Sequence, residues 1–232
     1  MQKGMQRVAA IHDLSGFGKA SLTIAIPVLS SMGIQVCPLP TAVLSTHTGF
    51  DNFTFHDLTD EMEKIVEHWK SLNLRFDCVY SGFLGSPRQV DIVKKFIENF
   101  SRDDQLVVVD PVLGDDWSLY STMSQEMVCK MRELVAAANV ITPNLTEATV
   151  LLDKSIKKKL EWNEAKEWLR ALAEMGPEMV IITSAAIENT ESVFVLAFDK
   201  ELDRFWKIEH KYVPAYFAGT GDMFTSVLTG SL

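Results

Sequence analysis

Short apolar runs suited to strands alternate along the chain with stretches in which apolar residues recur every three or four positions. Residues 8–11 form a continuous apolar run, the profile of a buried strand. Residues 20–32 read as a helix closed by Gly33, a residue that accepts the left-handed cap conformation, with a kink expected at Pro27. Short extended runs follow at 34–36 and 41–44, around Pro38 and Pro40. Over 58–72, Met62, Ile65, Val66, Trp69 and Leu72 share one helical face, with Asp60 and Glu61 suited to the first turn. Residues 78–80 form the next strand. Ser86, Pro87 and Gln89 then supply an N-cap, a proline at N1 and a glutamine at N3, ahead of Val90, Val93, Ile97 and Phe100.

The run 106–109 is rich in β-branched residues and ends at Asp110-Pro111, as a central parallel strand does where its carboxyl end opens into a loop. Residues 140–142 and 179–183 repeat that profile, separated by a helix over 164–175 that Gly176-Pro177 stops. Residues 192–198 and 205–208 predict a hairpin turning at 199–203. Strands alternating with helices imply right-handed crossovers and an α/β fold: a doubly wound, mostly parallel sheet with helices on both faces. No repeat, low-complexity tract or linker interrupts the pattern, so a single domain over 1–232 is expected.

Composition narrows the function classes. With 47% hydrophobic and 23% charged residues in 232, the chain is that of a globular protein. A net charge of -9 offers no basic stripe for a nucleic-acid backbone, and Lys157-Lys158-Lys159 is short enough to be a solvated loop or helix start. No run of about eighteen apolar residues predicts a membrane helix, and the start Met1-Gln-Lys-Gly has no leader character. Cys37, Cys78 and Cys129, odd in number and far apart, suit a reducing cytoplasm.

Polar residues gather at the carboxyl ends of the expected strands, where open α/β sheets bind ligands: 12–18, 45–49, Ser81-Gly82, Asp110-Pro111, Thr142 to Asn144 and Thr183-Ser184. Gly16-x-Gly18 lacks the third glycine of a dinucleotide fingerprint, and Gly18-Lys19 fails as a phosphate loop because Asp13 and Ala20 occupy two of its required positions. The strongest signal is Gly219-Thr220-Gly221-Asp222 before a helix-compatible stretch. Its glycines leave backbone N–H groups free for an anion, and its acid could take a proton from a hydroxyl or could be merely a first-turn acid. Asn144 and Glu147 make a capping box, while Glu147 and Asp110 are also candidates to organise a hydrated magnesium ion. The five histidines show no paired zinc spacing.

Together these motifs resemble the ribokinase-like superfamily, and within it the pyridoxal/pyridoxamine kinases of vitamin B6 salvage. Residues 45–49, 81–85, 110–115, 141–144, 180–184 and 219–222 stand in family order. The resemblance implies transfer of the γ-phosphate of ATP to the 5′-hydroxymethyl group of a B6 vitamer, with ATP and Mg²⁺ as cofactors, a monovalent cation as a further candidate, and a homodimer. It implies Asp222 as catalytic base and Gly219, Thr220 and Gly221 as the anion hole. By the same resemblance Asp13, Ser15, Thr48 and Phe83 are substrate residues, and Asp110, Asn144, Glu147, Thr183, Ser184 and Tyr120 are nucleotide residues, Asp110 and Glu147 serving the metal. Residues 114–120 correspond to the flap over the phosphates.

Asp13 replaces a serine of many pyridoxal kinases, and the run 13–18 is similar to the hydroxymethylpyrimidine kinases of thiamine synthesis, the alternative reading. A non-catalytic B6-binding protein and a nicotinamide oxidoreductase are the rivals from other classes. By the same resemblance family chains continue through further helices beyond the position of Leu232, so one face of the helix that begins at Asp222 is expected to be exposed or covered by another subunit.

Overall fold

In the computed structural model the described residues are 5–120, 122–213, 215 and 217–232; the start Met1–Gly4 on which the leader expectation rests lies outside them. The elements run β1 (Arg7–Phe17), α1 (Leu22–Ser31), β2 (Gln35–Thr46), β3 (Phe55–Asp57), α2 (Thr59–Ser71), β4 (Cys78–Ser81), α3 (Pro87–Asn99) and β5 (Leu106–Val109). There follow β6 (Gly114–Asp115), β7 (Ser118–Leu119), α4 (Gln125–Val135), β8 (Val140–Ile141), α5 (Leu145–Leu151), α6 (Trp162–Ala173), β9 (Met179–Ala186), β10 (Val193–Asp199), β11 (Arg204–His210) and α7 (Thr220–Ser231). They form two compact units, one holding the described residues up to Asp110 together with α7, the other Pro111–Ala215.

In the first unit the strands lie in the order β5-β4-β1-β2-β3, parallel except for the last pair. The apolar run expected to form the first strand continues well past residue 11. Its pairing with β2 shifts between His12 and Leu14, so Asp13 is bulged where the strand leaves the core. The two short runs around Pro38 and Pro40 are one strand. Gln35 donates its N–H toward β1, to the Gln6 carbonyl, and strand periodicity then turns positions 38 and 40 the opposite way. Among the described residues β3 pairs only with Ala42–Leu44, so no strand pairs with the outer side at the prolines and they cost the ladder no hydrogen bond. Trp69 of α2 and Phe96 of α3 pack in tilted and edge-on contacts with Phe76, which also meets Phe100, and Ile11, Leu39 and Met62 are fully buried.

In the second unit β8 pairs with β9 in parallel, and β9, β10 and β11 are antiparallel, with Asp199 opposite Arg204 at the expected hairpin. Trp168 of α6 fills the core there. α4 is additional to the elements predicted above: Met127, Val128, Met131, Leu134 and Val135 bury one face, and Ser124 caps it by accepting from the Met127 N–H at 3.2 Å. The hairpin β6–β7 is likewise additional. The α/β expectation of a mostly parallel sheet with intervening helices holds. No helix among the described residues is long and apolar enough to cross a membrane.

Candidate active site

The bulge in β1 places Asp13 and Ser15, both buried, at the carboxyl end of the strand. Asp13 Oδ2 accepts from the Ser15 hydroxyl at 2.9 Å. Burial pushes the Asp13 carboxyl above the usual carboxylate range, against the smaller pull of the Ser21 and Ser15 hydroxyls and of its own backbone N–H. The chain then turns through Gly18, at φ +74, where a Cβ would fall 2.5 Å from the His47 ring. The loop after β2, which carries exposed Thr48, therefore packs directly on that turn. Phe83 is buried beyond β4, its carbonyl accepting from Thr41 Oγ1 at 3.0 Å.

Asp222 is brought to the same end of this unit by α7. Gly219, the N-cap, has φ +75, and α7 starts against the turn before α1: a Cβ on Gly219 would lie 2.2 Å from Ile24 Cδ1 and 2.6 Å from the Lys19 carbonyl. Asp222 Oδ2 accepts from the Ser21 backbone N–H at 2.9 Å across a sequence separation of 201. Part of Asp222 stays open to solvent, yet enough protein surrounds it that burial pushes its carboxyl up to about 6, with the Ser21 N–H pulling back and Asp13 adding to the rise. The first amides of α7 have no partners within the helix and offer a seat for an anion. Beside them, a Cβ on Gly221 would meet nothing nearer than Asp110 Oδ2, at 4.0 Å. The geometry thus gathers Asp13, Ser15, Asp110, Gly219, Gly221 and Asp222 in this unit, while Thr48 and Phe83 stand on separate loops.

Three residues here go beyond the motif reading. Tyr80 is buried, its hydroxyl 3.5 Å from the Asp222 carbonyl, and burial followed by the charges of Asp110 and Asp222 holds its proton well above the usual phenol range. His12 is fully buried edge-on to Tyr80, with ring centroids 4.3 Å apart, and burial pushes its pKa down to about 3 against a weak pull from the Tyr80 backbone, so it is neutral. Gly82 packs against it, since a Cβ there would fall 2.2 Å from the His12 ring. Ser21 carried no signal of its own.

In the second unit both halves of the Asn144–Glu147 capping box form. Glu147 is buried; Oε2 accepts from the Asn144 N–H at 2.8 Å and Oε1 from the Leu113 N–H at 3.1 Å. Asn144 Nδ2 donates to the Gly114 carbonyl at 2.8 Å, and the Trp117 N–H to Thr146 Oγ1 at 3.1 Å. The expected flap is therefore a β-hairpin tied to the start of α5, with Asp116 and Trp117 at φ 46 and 68 in its two-residue turn. Tyr120 follows, its N–H donating to the Leu113 carbonyl at 3.0 Å. Thr183 bridges to Asn144, and Ser184 sits at φ 53 where the pairing of β9 with β10 is irregular. Asn144→Ala removes the cap and the hairpin tether together. It should cost about 1–3 kcal/mol by urea denaturation and expose residues 114–120 to protease; unchanged stability and cleavage would disprove the tether. Among the described residues no three His, Cys, Asp or Glu side chains cluster as a cation cage.

A profile of the family described as phosphomethylpyrimidine kinase matches residues 28–232. The chain is 31% identical to a pyridoxal kinase of Arabidopsis thaliana, over 97% of this chain and 73% of that protein. It is also similar to a crystal structure from Bacteroides thetaiotaomicron, provisionally classed as a phosphomethylpyrimidine kinase and determined with pyridoxal. The identity is 53% and the TM-score 0.95, over 98% of this chain and 80% of that one. Pyridoxal kinase from Leishmania donovani, determined with ADP and pyridoxamine, is 25% identical with a TM-score of 0.87, covering 97% and 81%.

Proposed function

Because the chain belongs to the phosphomethylpyrimidine kinase family, we propose that it transfers the γ-phosphate of ATP to the 5′-hydroxymethyl group of pyridoxal, pyridoxamine or pyridoxine. The observation that carries this reading is Asp222: a carboxylate pushed up to about 6, placed after Gly-Thr-Gly at a helix start and held beside buried Asp13 and Ser15. An acid of that affinity accepts the hydroxyl proton near neutral pH as the oxygen attacks. Gly219 and Gly221 let phosphate oxygens reach the amides of α7, and phosphoryl transfer needs such positioning and charge neutralisation more than covalent help. Asp110 Oδ2 stands close to the glycine turn, 4.0 Å from where a Cβ on Gly221 would lie, and a carboxylate there suits a hydrated ion held mainly by phosphates. Mg²⁺, when bound, would neutralise charge developing on the transferred group. Glu147, with both oxygens taken by backbone N–H groups, would act there by fixing the hairpin and α5 rather than as a bare ligand.

We assign both units to one ribokinase-like kinase domain, acting in the cytoplasm as a homodimer. The nucleotide would rest on Asn144, Thr183, Ser184 and Tyr120, and the vitamer on Asp13, Ser15, Thr48 and Phe83. Asp13 favours the second reading, a hydroxymethylpyrimidine kinase, because a carboxylate accepts from a ring or exocyclic N–H. Coupled ADP release with pyridoxal, pyridoxamine, pyridoxine and hydroxymethylpyrimidine decides between them. Turnover with the pyrimidine alone would sink the vitamer reading, and silence with all four would sink the kinase. Asp13→Ser should shift relative kcat/KM toward pyridoxal by about tenfold, the worth of one hydrogen bond to a charged group. An unchanged ranking would mean Asp13 does not read the ring.

A further inference from the structure

The link between the turn before α1 and the start of α7 has an unusual construction. Ser21 has φ 52 and ψ -126, the first central position of a type II′ turn, which glycine ordinarily fills. The turn is closed at both ends. The Ala20 carbonyl accepts from the Thr23 N–H at 3.2 Å and from Thr23 Oγ1 at 2.7 Å, while the Ala20 N–H donates to Thr23 Oγ1 at 3.0 Å. Ser21 caps α1 without a side-chain hydrogen bond; its carbonyl accepts from the Ile24 and Ala25 N–H groups. Its own N–H points away from the helix, to Asp222 Oδ2. A non-glycine residue keeps such a conformation only where its surroundings over-determine it, and strain of this kind collects at functional sites. Gly219 fits the pattern, since its missing side chain is what lets the Lys19–Ala20 backbone reach α7.

We propose that Ser21 is a positioning residue for Asp222 and acts through its backbone: the strained turn, clamped by Thr23, aims one N–H at Oδ2 and so sets which carboxylate oxygen meets the acceptor hydroxyl. The inference rests on Asp222 being the base. No described residue donates to Oδ1, which leaves that oxygen for the substrate proton. The Ser21 hydroxyl, which serves Asp13, is a separate element of the same turn.

Substitutions at position 21 separate backbone from hydroxyl. If the backbone matters, kcat should follow tolerance for positive φ: Ser21→Gly and Ser21→Ala within about threefold of the parent, and the β-branched Ser21→Val lower by ~10-fold. The KM for ATP should stay within about twofold, while loss of the hydroxyl that serves Asp13 is read separately in the vitamer KM. Thr23→Val, which removes the clamp without altering position 21, should resemble Ser21→Val. Ser21→Thr retaining kcat while Ser21→Gly loses it would show that the hydroxyl is the working group and would overturn the proposal, as would a change confined to KM. One readout needs no turnover: the Ser21 amide should exchange slowly with solvent deuterium in the parent and rapidly in Asp222→Ala. Equal protection in the two overturns the link even if the enzyme is inactive, whereas a parent that releases no ADP but shows the protection difference refutes the kinase reading alone.

Discussion

Asp222→Asn should lower kcat by a factor of about 10²–10⁴ and yet leave the folded protein at least as stable above pH 6. The asparagine carbonyl can still accept from the Ser21 N–H, so the loop keeps its anchor, but the amide cannot take up a proton. The stability half follows from the sign of the shift. The Asp222 carboxyl is raised from 3.8 to about 6, so the folded chain holds that proton more tightly than the unfolded one. Its favourable contribution is complete below pH 4 and is lost as pH rises through about 6. Above that the ionised, partly desolvated carboxylate is a cost of up to about 3 kcal/mol, which the neutral amide removes. Melting curves at pH 5 and 8 should show Asp222→Asn gaining on the parent at the higher pH. In the parent, kcat/KM should fall as pH drops through about 6, where the base becomes protonated. A variant that keeps its kcat and melts earlier would reduce Asp222 to a first-turn acid.

Gly219→Ala should cost about 2–4 kcal/mol in urea denaturation and at least tenfold in kcat. Two penalties add. An L side chain at φ +75 is strained whatever the space, and here its Cβ would also meet Ile24 and the Lys19 carbonyl. The tip of Ile24 can move; the Lys19 backbone can yield only by shifting the turn that carries Ser21. Gly33 is the internal control. It has φ +84, but a Cβ added there would meet nothing within 4 Å, so Gly33→Ala should cost only about 1 kcal/mol and leave kcat alone. Equal losses for the two substitutions would mean that close packing at Gly219 plays no part.

What could be read in the sequence was local. The valine-rich run at 106–109 declared a buried strand, Ser86 and Asn144 announced their helices by cap spacing, and Asp222 stood out because two glycines and a helix start lie within four residues of chain. What stayed hidden depends on distant partners. Nothing near Ser21 in sequence reveals that its N–H is aimed 201 residues onward, and nothing near Tyr80 reveals that its phenol sits under the base. The β6–β7 hairpin was missed for a different reason. Its turn uses Asp116-Trp117 where asparagine-glycine would be the recognisable pair, and its conformation is sustained by bonds to Thr146 and Asn144. The alternatives at Glu147 were legible, but only the placement of Leu113 shows how fully the carboxylate is engaged.

The prolines of β2 have a consequence outside catalysis. An uncovered strand is a template on which a second chain can add, and among the described residues no strand pairs with the outer side of β2 from Gln35 to Pro40. Along that side the donors at 38 and 40 are missing because both residues are proline, so an incoming strand would find carbonyls without alternating N–H groups and could not zip along it. The same two residues that leave the inner ladder intact therefore blunt the sheet against edge-to-edge aggregation, a protection that comes from the backbone itself.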